Sequence, residues 1–170
     1  LYFGQDNSES SGTKYVTNTV VIADSSSSLT TGTSSIYMGH QRKGQSLLVN
    51  KGTINFNGGF YAGYCQVPGI ALGDTISIIT NSGTIAAKSF RIAYKTNCIA
   101  RVENIGTITA AGEFALGHNL NAQGSLRHSA GTFDVTGAIY IGLAGSGYLE
   151  LAGNTRTVLD DDSMALAHNN

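Results

Sequence analysis

Apolar residues along this chain fall in short runs in which every second position is apolar. The clearest run reads apolar, any residue, apolar, then Gly or Ala, and its copies occupy residues 36–39, 60–63, 90–93, 114–117, 139–142 and 164–167. Successive copies begin 24, 30, 24, 25 and 25 residues apart. Alternation with a period of two predicts β-strands, and short β-branched runs broken by Gly disfavour helices.

A second motif, N-x-G-T, recurs at the same period. It begins at Asn50, Asn81 and Asn104, and weaker variants begin at Ser129 and Ala152. The glycine, or the Asn that replaces it in the last copy, recurs at steps of 31, 23, 25 and 23 residues. Two motifs that share a period of about 25 residues predict an all-β fold, a right-handed single-stranded parallel β-helix (β-solenoid) of about six coils. The long step in both series predicts one insertion in the second coil, at residues 65–73.

Stacked coils predict columns of equivalent side chains, because neighbouring strands lie about 4.8 Å apart. Three inward columns are expected: Ile36, Phe60, Phe90, Phe114, Ile139 and Met164; Met38, Ala62, Ile92, Leu116, Ile141 and Leu166; and Ile54, Ile85, Ile108 and Phe133. Asn50, Asn81 and Asn104 are expected to form an internal ladder. The motif's glycine is expected to supply a positive-φ corner. The threonines predict a column of their own at Thr53, Thr84, Thr107, Thr132 and Thr155.

The repeats divide the chain into three parts. Residues 1–11 are expected to be a tag remnant and a disordered N-terminus, since the first three residues match the scar of a protease-cleavable tag. Residues 12–34 predict a degenerate first coil or a cap, and residues 35–170 predict the solenoid. The last repeat begins and stops, so the chain is expected to be a fragment of a longer solenoid or to have its end covered by a partner. Self-association is expected at open coil ends.

Composition narrows the function classes. The net charge is −1, only 12% of the 170 residues are charged, and Lys and Arg are scattered, so no nucleic-acid partner is expected. No apolar run approaches the roughly 20 residues that span a bilayer, which argues against membrane insertion. Hydrophobic residues make up 41% of the chain, which argues against disorder.

The repeat segments resemble a known class of bacterial proteins. The strands "SIYMGH" and "EFALGHN", joined to "NKGTINFNG" and "NSGTIAA", resemble the repeats of autotransporter and filamentous-haemagglutinin-like passengers over residues 35–170. The chain departs from them in its aromatic positions and in the insertion near Pro68. The resemblance implies export to the bacterial cell surface and an adhesin-like function, the display or binding of a glycan or a cell-surface protein.

One outer corner of the predicted stack carries a row of aromatic and imidazole side chains. These residues follow the Gly or Ala of the first motif, and the expected binding members are His40, Tyr64, Tyr94, His118 and His168. Such groups can stack on a glycan or a protein, and the alternative is that they only cover the turn. His128 lies on another strand and is interpreted as a lone surface residue.

The cysteines and histidines predict no metal site and no cofactor. Cys65 and Cys98 are either a disulfide between neighbouring coils or two unpaired thiols, and their spacing matches no zinc or redox motif. His40 and His118 are expected about 14 Å apart, three coils at the strand spacing. Zinc ligands lie about 2 Å from the metal, so these two histidines cannot share one ion.

An enzyme is the alternative to a binding module, because parallel β-helices also carry polysaccharide lyases and tailspike-type glycosidases. A glycosidase needs two carboxylates about 5–10 Å apart. The candidates are Glu103, Glu113, Asp134 and Glu150. No cluster stands out among them, so no catalytic residue is predicted. A third alternative is a purely structural stalk or spacer that binds no ligand.

Overall fold

The computed structural model describes residues 1–3, 16–39, 43–65, 71–159 and 164–166. These residues form seventeen β-strands and no helix, so this part of the chain contains no helix that could span a membrane. In chain order the strands are β1 (Tyr2–Phe3), β2 (Val16–Ile22), β3 (Ser28–Thr31), β4 (Ile36–Met38), β5 (Gly44–Asn50), β6 (Thr53–Phe56), β7 (Gly59–Ala62), β8 (Thr75–Asn81), β9 (Thr84–Ala87), β10 (Ser89–Ile92), β11 (Cys98–Asn104), β12 (Thr107–Ala110), β13 (Phe114–Leu116), β14 (Gln123–Val135), β15 (Ile139–Ile141), β16 (Ser146–Leu159) and β17 (Met164–Leu166).

Parallel strands stack on three faces of a β-solenoid of about six turns, which confirms the predicted fold class. Face 1 contains β1, β4, β7, β10, β13, β15 and β17. Face 2 contains β2, β5, β8, β11 and the first halves of β14 and β16, and face 3 contains β3, β6, β9, β12 and the second halves of β14 and β16. A single turn cannot bury its apolar side chains alone, so each turn is stabilised by its neighbours.

The strand register confirms the predicted inward columns as far as Ile139 and Ile141, the last members whose side chains the structure describes. On face 1, Phe60 lies beside Phe90, and Phe90 lies beside Phe114. All three side chains are fully buried, and their rings stack with centroids 4.7 and 5.8 Å apart. The column through Ile54 on face 3 likewise continues to Ile85, Ile108 and Phe133. Period-two alternation places these residues inside because every second side chain of a strand points to the same face.

The asparagine ladder is also confirmed, and it is one member longer than predicted. Asn50 Nδ2 donates to Asn81 Oδ1 (2.7 Å), and Asn81 Nδ2 donates to Asn104 Oδ1 (2.6 Å). Asn104 Nδ2 then lies 2.6 Å from Nδ1 of His128. His128 is fully buried, so its interpretation as a surface residue is wrong. Its ring occupies the ladder position beside Asn104. There an imidazole nitrogen can accept the hydrogen bond that a side-chain amide oxygen accepts in the preceding turns.

The glycines of the N-x-G-T motif have a different role from the one expected. Gly52, Gly83 and Gly106 do not adopt a positive φ, whereas Gly131 does. A Cβ at Gly83 would overlap the carbonyl oxygen of Gly52, and a Cβ at Gly106 would overlap that of Gly83. The motif therefore requires glycine because the turn backbones of successive coils approach too closely for any side chain.

On face 3, the pairing register of the last described turn is shifted by one residue relative to the turn before it. The pairing of β14 with β16 is irregular between His128 and Ala130, where β16 holds one extra residue. Thr132 consequently lies beside Arg156, and the predicted placement of Thr155 in the threonine column is wrong. Such a bulge inserts one residue into one strand and moves every later side chain to the next position.

The first three residues lie beside strand β4 of face 1. Tyr2–Phe3 forms β1 beside β4, and Tyr37 N donates to Leu1 O (2.9 Å), so these residues differ from the disordered N-terminus that was expected. Residues 4–11 lie outside the described residues.

The predicted insertion lies between β7 and β8. The connection there spans residues 63–74, whereas the equivalent connection one turn later spans only residues 93–97.

Candidate functional site

The outward side of face 1 carries a cluster of tyrosines, here called the tyrosine patch. It consists of Tyr37, Tyr61, Tyr64, Tyr94, Arg91, Lys95, Glu113 and His118. Three members, at positions 37, 61 and 91, are the middle residues of the first motif, and strand alternation directs them away from the core. Three others, at positions 64, 94 and 118, follow the Gly or Ala that ends the strand. All eight side chains are half-buried.

The aromatic rings of the patch pack mainly against one another. Tyr37 stacks on Tyr61 with centroids 5.3 Å apart, and Tyr64 stacks on Tyr94 at 5.5 Å with an interplanar angle of 11°. Tyr37 and Tyr64 join the two rows at 4.3 Å, and Tyr94 contacts the His118 ring at 4.9 Å. Ring pairs in such geometries contribute about 0.5–1.5 kcal/mol each beyond their buried area. The rings therefore hold one another in place, and much of each ring face is covered by a neighbouring ring.

A local glycine lets the Tyr61 ring lie close to the backbone. A Cβ at Gly59 would overlap the ring and hydroxyl of Tyr61. Burial raises the pKa of the Tyr61 phenol, and burial next to Tyr37 likewise raises the pKa of Tyr64. Both phenols are thus neutral at physiological pH and keep their hydroxyl protons as donors.

Two cations lie over the tyrosine rings. The Arg91 guanidinium lies 5.4 Å from the Tyr61 centroid and 5.0 Å from that of Tyr94, and Lys95 Nζ lies 5.0 Å from Tyr94. Arg91 also donates two hydrogen bonds to Glu113, at 2.9 and 2.8 Å. Burial disfavours the charged form of Arg91, but the bonds to Glu113 outweigh it and raise the arginine pKa.

The patch carries one net positive charge when His118 is neutral. His118 Nε2 lies 3.6 Å from Glu113, which already neutralises Arg91, and His118 Nδ1 lies 3.0 Å from the side-chain oxygen of Asn119. Lys95 has no carboxylate partner among the described ion pairs. Its charge is held over two tyrosine rings, where cation–π attraction fixes it without cancelling it.

Of the five predicted binding residues, the structure brings Tyr64, Tyr94 and His118 together, while His40 and His168 lie outside the described residues. Sequence reasoning missed Tyr37 and Tyr61, although their place in the middle of the strand motif marks them as outward. It also missed Arg91, Lys95 and the position of Glu113 beside them. Arg91 and Glu113 are 22 residues apart with opposite charges, which is close to one coil.

The carboxylates considered for catalysis are dispersed. Glu113 pairs with Arg91 on face 1, and Glu150 pairs with Arg127 on face 2. Glu103 lies on β11 and Asp134 on the second half of β14, so these two lie on different faces. Within the described residues, no group of three or more His, Cys, Asp or Glu side chains is arranged to hold a metal ion.

Cys65 and Cys98 are both buried, and no disulfide joins them in this structure. They form a small apolar cluster of their own beside the start of face 2. Burial raises the pKa of the Cys98 thiol to about 12. The thiol therefore remains protonated at neutral pH, and it lacks the thiolate character that a reactive cysteine needs.

Comparisons with protein-family models, with curated proteins and with solved structures found no match. The likeness to bacterial passenger domains therefore depends on the repeat motifs alone.

Proposed function

We propose that this chain is an adhesin-like module of a bacterial surface protein, which binds a partner on another cell through the tyrosine patch. The single observation that supports it is the composition of the patch: four tyrosines with Arg91, Lys95 and His118 on one outward face. Tyr and Arg are the residue types enriched where binding energy concentrates in protein interfaces. An extracellular location is part of the same proposal.

The packing of the rings favours a protein partner over a glycan. A sugar is bound by stacking on an open aromatic face, and here the faces are covered by neighbouring rings and by two cations. The remaining edges, phenol hydroxyls and positive charge suit hydrogen bonds and ion pairs across a broad surface. The ring stacking equally favours the second candidate, a stalk in which the patch only stiffens face 1.

Enzymatic degradation of polysaccharides is less well supported. Retaining and inverting glycosidases both need two carboxylates that face one substrate. Glu113 is engaged by Arg91, and Glu103 and Asp134 lie on different faces. Release of reducing ends or unsaturated sugars from a panel of polysaccharides would favour the enzyme instead.

The test compares two double variants in a cell-binding assay. Tyr94→Phe/Lys95→Ala removes one hydroxyl and one charge from the patch but keeps the stacked rings. Tyr140→Phe/Lys51→Ala makes the same chemical change on other turns and serves as the control. Losing one neutral and one charged hydrogen bond costs about 2–4 kcal/mol, so the patch variant should bind about 30-fold more weakly or worse.

Beads that carry each variant are counted on bacterial and animal cells. Protease treatment of the cells should abolish binding if the partner is a protein, and periodate treatment should abolish it if the partner is a glycan. Equal binding by both double variants, or no binding by the original chain, contradicts the proposal and leaves the stalk. Unchanged melting temperatures of both variants establish that the fold is intact.

A further inference from the structure

A separate cleft lies on face 2, across β11, β14 and β16. Its volume is about 230 Å³. The strand register explains its shape, because Arg101, Ser125 and Tyr148 lie side by side on successive turns. A short side chain thus lies between two long ones, whose strands are about 10 Å apart at the usual spacing. Gln123 and Ser146, which are also neighbours in register, continue the polar floor of the cleft.

Tyr148 forms one wall of the cleft and presents an open ring. The residue is 58% exposed, and within the described residues its ring stacks on no other aromatic ring. Its hydroxyl donates to Glu150 Oε2 (3.1 Å), and Glu150 Oε1 accepts a hydrogen bond from Arg127 (3.2 Å). The ring is therefore held in place before any ligand arrives, which lowers the entropic cost of binding.

Arg101 forms the other wall and carries an uncompensated charge. Its side chain is exposed, and the ion pairs of the described residues involve other cations, namely Lys43, Arg91, Arg127 and His118. The planar guanidinium of arginine binds a carboxylate or a sulfate through two parallel hydrogen bonds.

We propose that this cleft binds one pyranose ring that carries an anionic group, as in an acidic polysaccharide. The apolar side of the ring stacks on Tyr148, and the anionic group pairs with Arg101. The ring hydroxyls bond the side chains of Gln123, Ser125 and Ser146. The cleft is smaller than the roughly 300–1,000 Å³ of pockets for drug-sized ligands, so it fits a single sugar unit. The proposal does not depend on the tyrosine patch, which lies on another face.

The experiment is a titration of the ¹⁵N-labelled chain followed by NMR. The probes are sodium glucuronate, glucose 6-sulfate and neutral glucose. An anionic sugar should shift the amide signals of residues 123–125 and 146–148 with a Kd of about 1 mM, since one ring offers few contacts. Shifts with glucuronate alone or with the sulfate alone identify which anionic group is preferred. Both outcomes support the site.

Three substitutions separate the contacts. Arg101→Gln should weaken binding of the anionic sugar about tenfold or more, to the level of glucose. Tyr148→Ala should abolish the shifts. Tyr148→Phe keeps the ring face but loses the bond to Glu150, so it should retain the shifts with weaker binding. Lys51→Ala, which removes an exposed charge elsewhere, should have no effect.

Several results would overturn the proposal. These are no shift at the cleft with any probe up to about 50 mM, well above the expected Kd, glucose binding as tightly as glucuronate, or full binding by Arg101→Gln. The Tyr94→Phe/Lys95→Ala variant should bind glucuronate normally, so a failure of the cleft and a failure of the patch are distinguished.

Discussion

Removal of one internal amide should destabilise the whole solenoid. The side chain of Asn81 is fully buried and accepts a hydrogen bond from Asn50 (2.7 Å). Its Nδ2 donates to Asn104 Oδ1 (2.6 Å), to Thr107 O (3.1 Å) and to Gly83 O (3.3 Å). Asn81→Ala removes all four bonds. The two short ones contribute about 1 kcal/mol each, and the buried groups that lose a partner add about 1–2 kcal/mol, giving a total loss of about 3–4 kcal/mol.

The assay is equilibrium unfolding in urea, which gives the free energy of unfolding of each variant. Thr80→Ala is the control, because Thr80 is the exposed neighbour of Asn81 on the same strand, and surface substitutions usually change stability by less than about 0.5 kcal/mol. If Asn81→Ala destabilises the chain no more than Thr80→Ala does, the ladder contributes no stability and the reasoning from its hydrogen bonds is wrong.

Three further predictions concern His128, Gly83 and Cys98. Burial lowers the pKa of His128 below its ordinary 6.5, so below that pH the unfolded chain binds more protons than the folded one. The free energy of unfolding should therefore fall as the pH decreases below about 6.5, and His128→Asn should reduce this pH dependence. Gly83→Ala should lower the free energy of unfolding by about 1–3 kcal/mol or more, because its Cβ would overlap the Gly52 carbonyl. Gly32→Ala is the control in the same urea assay and should not destabilise the chain, because nothing lies within 4 Å of a Cβ at that position. Native Cys98, with its pKa raised to about 12, should resist alkylation by iodoacetamide at pH 8 and react readily in urea, as mass spectrometry would measure.

The fold was predictable because one physical requirement repeats along the whole chain. Each turn must place apolar side chains inside, so Phe60, Phe90 and Phe114 recur at nearly constant spacing and reveal the register. The insertion near Cys65 lengthens one step of the spacing in both motifs, so it can be predicted from the sequence.

Other features were hidden because different chemistry serves the same position. His128 continues the asparagine ladder with an imidazole, so a search for Asn overlooks it, although it lies 24 residues after Asn104. The extra residue on β16 was missed because Thr155 fits the motif in sequence while the pairing places Arg156 there. The role of Gly83 was misjudged because sequence does not distinguish a positive φ from a close backbone approach.

Surface sites are less predictable than the core. The row of Tyr64, Tyr94 and His118 follows from the period, but the contacts with Arg91 and Lys95 depend on how long side chains bend across neighbouring strands. The face 2 cleft depends on the sizes of three neighbours in register. The contacts of Arg91 and Lys95 and the face 2 cleft produce no periodic pattern in the sequence, because the outward positions carry no shared requirement to be apolar.

In-register stacking of the coils is the claim on which the rest depends, and disulfide trapping tests it directly. In a chain with Cys65 and Cys98 replaced by Ala, the pair Thr84→Cys/Thr107→Cys lies in register on face 3. Its Cα atoms are about 4.8 Å apart, within the roughly 4.4–6.8 Å that a disulfide spans, whereas Thr84→Cys/Thr109→Cys is displaced by two residues to about 8 Å. The first pair should form a disulfide under mild oxidation and the second should not. Efficient bridging of the second pair alone would contradict the register.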